Sequence, residues 1–163
     1  MHAPSKNGLL VLVAITFVLA LFIAIYPFSD GFTELRPEFV CLLVIYWVTN
    51  APQNFGVLFA WSVGLVQDVI EGIPWGAHAM ALAIVAYICL VAYQRIKNYS
   101  VWHQTIWVFV LVGFHQVIVN WVQGLAGYDT TPKALLLSAM VSALFWPILF
   151  IFMMRIRAKH RLG

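Results

Sequence analysis

Apolar residues in this chain come in long runs. Stretches free of Asp, Glu, Lys and Arg cover 7–29, 39–67, 72–94, 98–128 and 134–154. A helix needs about 20 mostly apolar residues to cross roughly 30 Å of hydrocarbon, so each run is long enough. The second run is interrupted by "TNAPQN", 49–54, a cluster of turn formers in an otherwise apolar segment. Backbone freed by Pro52 would need internal partners at the bilayer centre, whereas water supplies them at an aqueous edge. The run therefore divides into two helices, and the pattern predicts an all-α bundle of six membrane spans, about 9–26, 37–50, 54–70, 74–94, 101–123 and 134–154, in one polytopic domain. At about 1.5 Å per residue the divided pair is only about 20–25 Å long, which implies local thinning or a recessed loop.

Composition changes the solvent from water to lipid. With 63% hydrophobic and 9% charged residues, the 163-residue chain has too little polar surface to cover a soluble globule. Its formal charge of +3 does not point to nucleic acid, because the cations are dispersed. Arg155, Arg157, Lys159 and Arg161 in "RIRAKHR" read as a cytoplasmic membrane flank. With six spans and the N-terminus inside, seven of the nine Lys and Arg residues are cytoplasmic, and only Arg36 and Lys133 are outside. Five spans with the N-terminus outside exchange Lys6 for Arg36 and keep the same ratio, so charge alone does not choose. The turn at Pro52 favours six. Both arrangements place the C-terminus in the cytoplasm.

Asp68, in "GLVQDVIEG", is an acid among apolar residues and needs a partner. Arg36 and Asp68 are each sixteen residues from Pro52, so an antiparallel hairpin brings them to one depth and predicts an ion pair. Gly56, Ala60, Gly64, Asp68 and Gly72 recur every four residues on one helical stripe. Small residues in such a row admit the backbone of another helix, and the ordinary reading is an internal packing seam with an ion pair at its rim. The competing reading is a direct partner surface.

The remaining polar residues carry weaker signals. Gln116, Asn120 and Gln123, with His115 alongside, give the fifth span a hydrogen-bonding face suited to interhelical bonds or to lining a small-solute cavity. His78, beside Trp75, reads as an interfacial anchor. Ser138 and Ser142 read as packing residues, and Trp146-Pro147 should kink the last span where its neighbours can satisfy the freed carbonyl. The histidines show no metal-ligand spacing, and no nucleophile motif or phosphate loop occurs. No catalytic residue, cofactor or metal site is expected. Cys41 and Cys89, inside apolar runs, lack the spacing of a disulfide framework or zinc site.

The run "RPEFVCLLVIYW", then "AP", "GVLFAWSVGLVQDV" and "GAHAMA", with "LFWPILFIFMMRIR" near the end, resembles the rod shape-determining protein MreD family of bacterial inner-membrane proteins. Order, spacing and the closing basic tail carry the likeness over nearly the whole chain; the fifth span and the loop around Asp129 carry least of it. The resemblance implies a non-enzymatic scaffold of the cell-elongation machinery, helping to coordinate lateral peptidoglycan synthesis with rod shape. It implies an MreC-like partner, and with it MreB, RodA and the class B penicillin-binding transpeptidase. It also implies a fold similar to the S-components of vitamin transporters. Arg36, Pro37, Gly64 and Asp68 fall on the family's motif positions and are expected, with Gly56, Ala60, Gly72, His78, Trp146 and Pro147, to be structural or partner-surface residues.

Two function classes follow. A scaffold needs a partner surface, and the small-residue stripe and short loops suit one. A small-solute-binding transporter component needs a cavity, for which the polar face of the fifth span and the small-xxx-small step Ala20 to Ala24 are the candidate features.

Overall fold

A computed structural model describes residues 6–26, 36–73, 76–128 and 132–159, with the side chains of residues 6, 7 and 132–134 left aside. Trp75, Asp129, Arg161 and the expected start of the fourth span at 74 lie outside these residues, as do the Lys6 and Lys133 side chains. All regular structure among the described residues is helical: α1 Lys6–Ile25, α2 Phe39–Asn50, α3 Val57–Glu71, α4 Ala77–Asn98, α5 Val101–Leu125 and α6 Pro132–Lys159. Four of them, α1, α4, α5 and α6, are long and apolar enough to cross a membrane. The other two come from the interrupted run: α2 ends at Asn50, the chain turns through Ala51 to Asn54, and α3 starts at Val57.

The helix α2 is the axis of the bundle. A helix that is apolar on every side has no face for water and must be enclosed. In α2 every residue from Val40 to Thr49 is buried. It packs against α1, α4, α5 and α6, and its Leu42, Ile45 and Trp47 share the core with Leu82 and Val85 of α4 and Leu111 of α5. The short turn after α2 does not make α2 and α3 a packed pair, because α3 lies chiefly on α4 and secondarily on α1.

At the end of α2 nearest the Pro52 turn, aromatic rings fill the core. Trp47 meets Tyr46 and Phe55 edge-on at 5.4 and 5.6 Å, and the Arg157 guanidinium lies over the Trp47 ring at 5.7 Å. Such a contact lets the basic tail of α6 touch the core through a cation–π attraction. Trp146 is buried beside Phe150, and α6 continues as a helix through Pro147.

Candidate functional site

Towards the opposite end of the bundle the first residues of α2 and α4 and the last turn of α3 meet Gln116 of α5 and Ser138 and Ser142 of α6. Two polar hubs form there, and the seam between α3 and α4 leads into the first. A Cβ placed on Gly64 would lie 2.4 Å from Ala79 Cα and 2.5 Å from Ala79 N, so the two backbones approach at a distance only glycine allows. Ala60, one turn earlier, is fully enclosed. Gly56 sits before the first turn of α3, and Gly72 ends the helix in the left-handed conformation, at φ 67°, that favours glycine. The stripe is therefore mainly an internal seam, with Gly56 and Gly72 marking the two ends of α3.

Asp68 lies at the far end of that seam with 0% exposure. Its Oδ2 accepts from Gly76 N at 2.8 Å and Ala79 N at 3.3 Å, and its Oδ1 accepts from His78 N at 2.9 Å. The carboxylate thus occupies the N-terminus of α4, where free N–H groups and the helix dipole favour an anion. Gly76, at φ 104°, supplies the turn that aims these groups. The His78 ring completes the hub: its Nδ1 lies 3.1 Å from Asp68 Oδ1, and its Nε2 lies 3.9 Å from Glu71 Oε2.

This arrangement corrects two expectations. Asp68 does not pair with Arg36; its oxygens are taken by α4, and the Arg36 guanidinium donates instead to the carbonyl of Tyr26. Equal distances from Pro52 bring the two groups level only where α2 and α3 pack as a hairpin, and α3 packs on α4. Nor is His78 an interfacial anchor. It is buried, bonded to Asp68, and its ring centroid lies 5.4 Å from that of His115.

The second hub caps the central helix. Glu38 precedes α2, its N–H donates to Ser142 Oγ at 2.8 Å, and its Oε1 accepts from Gln116 Nε2 at 2.7 Å. The same Gln116 nitrogen lies 3.2 Å from Ser138 Oγ, whose hydroxyl donates to Arg36 O at 2.8 Å. Ser142 in turn donates to Ser138 O at 2.7 Å. These bonds tie the entry to α2 onto α5 and α6, and give the two serines a polar task beyond packing. The polar face of α5 is used in the same way: Gln116 crosses between helices, while Asn120 bonds back to Gln116 O on its own helix at 2.9 Å. Glu38 was missed by the sequence reasoning. The signal was present, since it is an acid beside an apolar run, two residues after Arg36.

Among the described residues six helices, four of them fit to cross a bilayer, and the buried polar hubs that join them define a multi-pass membrane protein. The chain belongs to the rod shape-determining protein MreD family, whose pattern matches residues 5–156. The rod shape-determining protein MreD of Haemophilus influenzae is 30% identical over 146 residues, covering 90% of this chain and 90% of that relative. No solved structure matches the chain.

Proposed function

We propose that this chain is a non-enzymatic scaffold of the bacterial cell-elongation machinery, held in the cytoplasmic membrane by six spans with both termini in the cytoplasm. The match to the family over residues 5–156 carries this reading. The internal structure supports it: Asp68, His78, Glu38 and Gln116 are engaged in joining helices, while the outward faces of α1 and α6 present large apolar side chains such as Phe22 and Leu144. Those faces are suited to receive a membrane helix of an MreC-like protein, by van der Waals packing rather than by charge. Through that partner the chain would join MreB, RodA and the class B penicillin-binding transpeptidase in lateral peptidoglycan synthesis. An arrangement of the six helices like that of the transporter S-components belongs to the same proposal. The solute-binding alternative drew on the Ala20 to Ala24 step and on the polar face of α5, where Gln116 already serves Glu38 and Ser138.

Depletion with plasmid rescue, combined with co-purification, tests the scaffold. Cells lacking the protein should round up, and an MreC-like protein should co-purify with the tagged chain. Rod-shaped depleted cells with no such co-purification would refute the reading. Cysteine labelling at residues 2 and 163 should find both on the cytoplasmic side; an external N-terminus would leave only the five-span arrangement.

A further inference from the structure

Beside the two hubs lies a cavity of about 70 Å³, walled among the described residues by Arg36, Glu38, Gln67 and Glu71 and closed on the α1 side by Ala20 and Ala24. Its walls are unevenly satisfied. Gln67 is 2% exposed and its amide nitrogen donates to Glu71 Oε1 at 2.8 Å, yet its carbonyl oxygen has no hydrogen-bond partner. A buried oxygen without a donor is costly, and two carboxylates share its cavity. Each carboxylate already accepts one amide N–H, and Arg36 is the one cation against two acids among the described lining residues, so a small cation rich in N–H donors completes both the charge and the missing donor. A primary ammonium carries three.

The cavity has an apolar neighbour. A groove of about 310 Å³ runs along the outward surface between α1 and α6, with Leu43 of α2 among its walls and Leu19, Ile148 and Phe152 on its flanks. Ala20 and Phe39 line both the groove and the polar cavity. A polar hole for a cation therefore adjoins a channel of acyl-chain character. Only an amphiphile uses both. The volume of the hole, about that of two waters in the liquid, admits an ammonium and leaves a bulkier attached group at its mouth. Arg36 on the cavity wall carries five N–H donors, one of them given to the Tyr26 carbonyl, and its guanidinium fork is of the chemistry that suits a phosphate.

We propose that cavity and groove together form a binding site for an aminophospholipid of the phosphatidylethanolamine type. The primary ammonium enters among Glu38, Glu71 and the Gln67 carbonyl oxygen, the phosphate stays beside Arg36, and one acyl chain lies between α1 and α6. The site discriminates by chemistry: a choline head group carries a cation without N–H donors, and a glycerol head group carries no cation. Bound in this way the lipid would fill the space that α1 leaves beside α2 and fasten the first helix to the bundle. This inference is independent of the scaffold reading, which is decided by cell shape and co-purification, so one can fail without the other.

Native mass spectrometry of the full-length protein tests it, with dioleoyl phosphatidylethanolamine, phosphatidylcholine and phosphatidylglycerol offered in equal amounts. One phosphatidylethanolamine should be retained, favoured about tenfold or more over either competitor, a margin of about 1.4 kcal/mol. Glu71→Gln should abolish the preference by removing a charge at constant shape. Ile148→Trp, on a groove wall and 65% exposed, should reduce retention about tenfold without disturbing the fold, and decides the matter if Glu71→Gln does not accumulate. Equal retention of the three lipids, or a preference unchanged in both variants, would overturn the site and leave a cavity holding only water. Retention that depends on Glu71 and not on Ile148 would overturn the acyl-chain groove. Free ethanolamine that raises thermal stability as much as the lipid does would overturn the lipid as the source of the amine.

Discussion

Ala60-Gly64 on α3 and Ala20-Ala24 on α1 are the same sequence device, two small residues one turn apart, and they do opposite things. On α3 the device is closed: the α4 backbone presses on Gly64 until no Cβ could fit. On α1 it faces an unfilled space, with Ala20 and Ala24 bordering a polar cavity and Ala20 also bordering the apolar groove. The difference lies in the neighbours. The α3 stripe meets the start of α4, which the buried Asp68 carboxylate holds in place, whereas α1 lies mainly against α2 and α3 among the described residues. Small residues signal that something comes close; what comes close is set elsewhere in the chain.

Substitutions can break this contrast, and the largest effect is expected at Gly64. Even Gly64→Ala forces a backbone shift, and Gly64→Leu should destabilise the protein by more than about 3 kcal/mol, read as loss of membrane abundance and of a monodisperse peak in detergent. Wild-type abundance for Gly64→Ala would show that the seam is looser than described. Next comes Asp68→Ala, which strands the N–H groups of Gly76, His78 and Ala79 and should cost about 3 kcal/mol in thermal or denaturant unfolding. A double-mutant cycle sharpens this: Asp68 and His78 should couple by about 1 kcal/mol or more, and Asp68 and Arg36 by less than about 0.5 kcal/mol. Strong coupling to Arg36 would restore the hairpin ion pair.

Gln116→Leu should have a smaller effect, about 1–2 kcal/mol, from removing the donor to Glu38. The smallest effect is expected from Ala24→Leu, the mirror of the Gly64 change, which enters open space and should alter stability by less than about 0.5 kcal/mol. Its consequence should appear instead as lost phosphatidylethanolamine retention in the mass spectrum. A collapse like that of Gly64→Leu would mean that α1 is packed as tightly as α3.

Much of this architecture was legible in the residues. Long apolar runs announce helices, and "TNAPQN" announced the division of the second run, because Pro52 and its neighbours favour a turn. The four-residue recurrence through Ala60 and Gly64 announced a seam. Its partner was not legible, because periodicity describes one helix and is silent about the helix opposite. The Asp68 site failed for a related reason: counting residues from Pro52 places groups by depth, but the N-terminus of α4, opened by the left-handed Gly76, meets the acid from another helix. Glu38 and Ser142 meet across 104 positions in the chain, a contact that no local pattern encodes.

The short central helix also bears on the membrane voltage. At about 1.5 Å per residue the twelve residues of α2 span about 18 Å, compared with roughly 30 Å for the hydrocarbon around them. In the proposed topology, water reaches the exposed Gln53 and Asn54 at the recessed turn, while the Glu38 hub lies at the other end. Water reaching the Glu38 hub as well would shorten the insulating path along α2 to about 18 Å, about three-fifths of the distance, and raise the field there roughly 1.7-fold over the surrounding bilayer. An electrochromic dye attached beside Asn54 and another at the membrane-facing Leu58 would compare the two, and equal responses to an imposed potential would mean that the field is not focused on the axis.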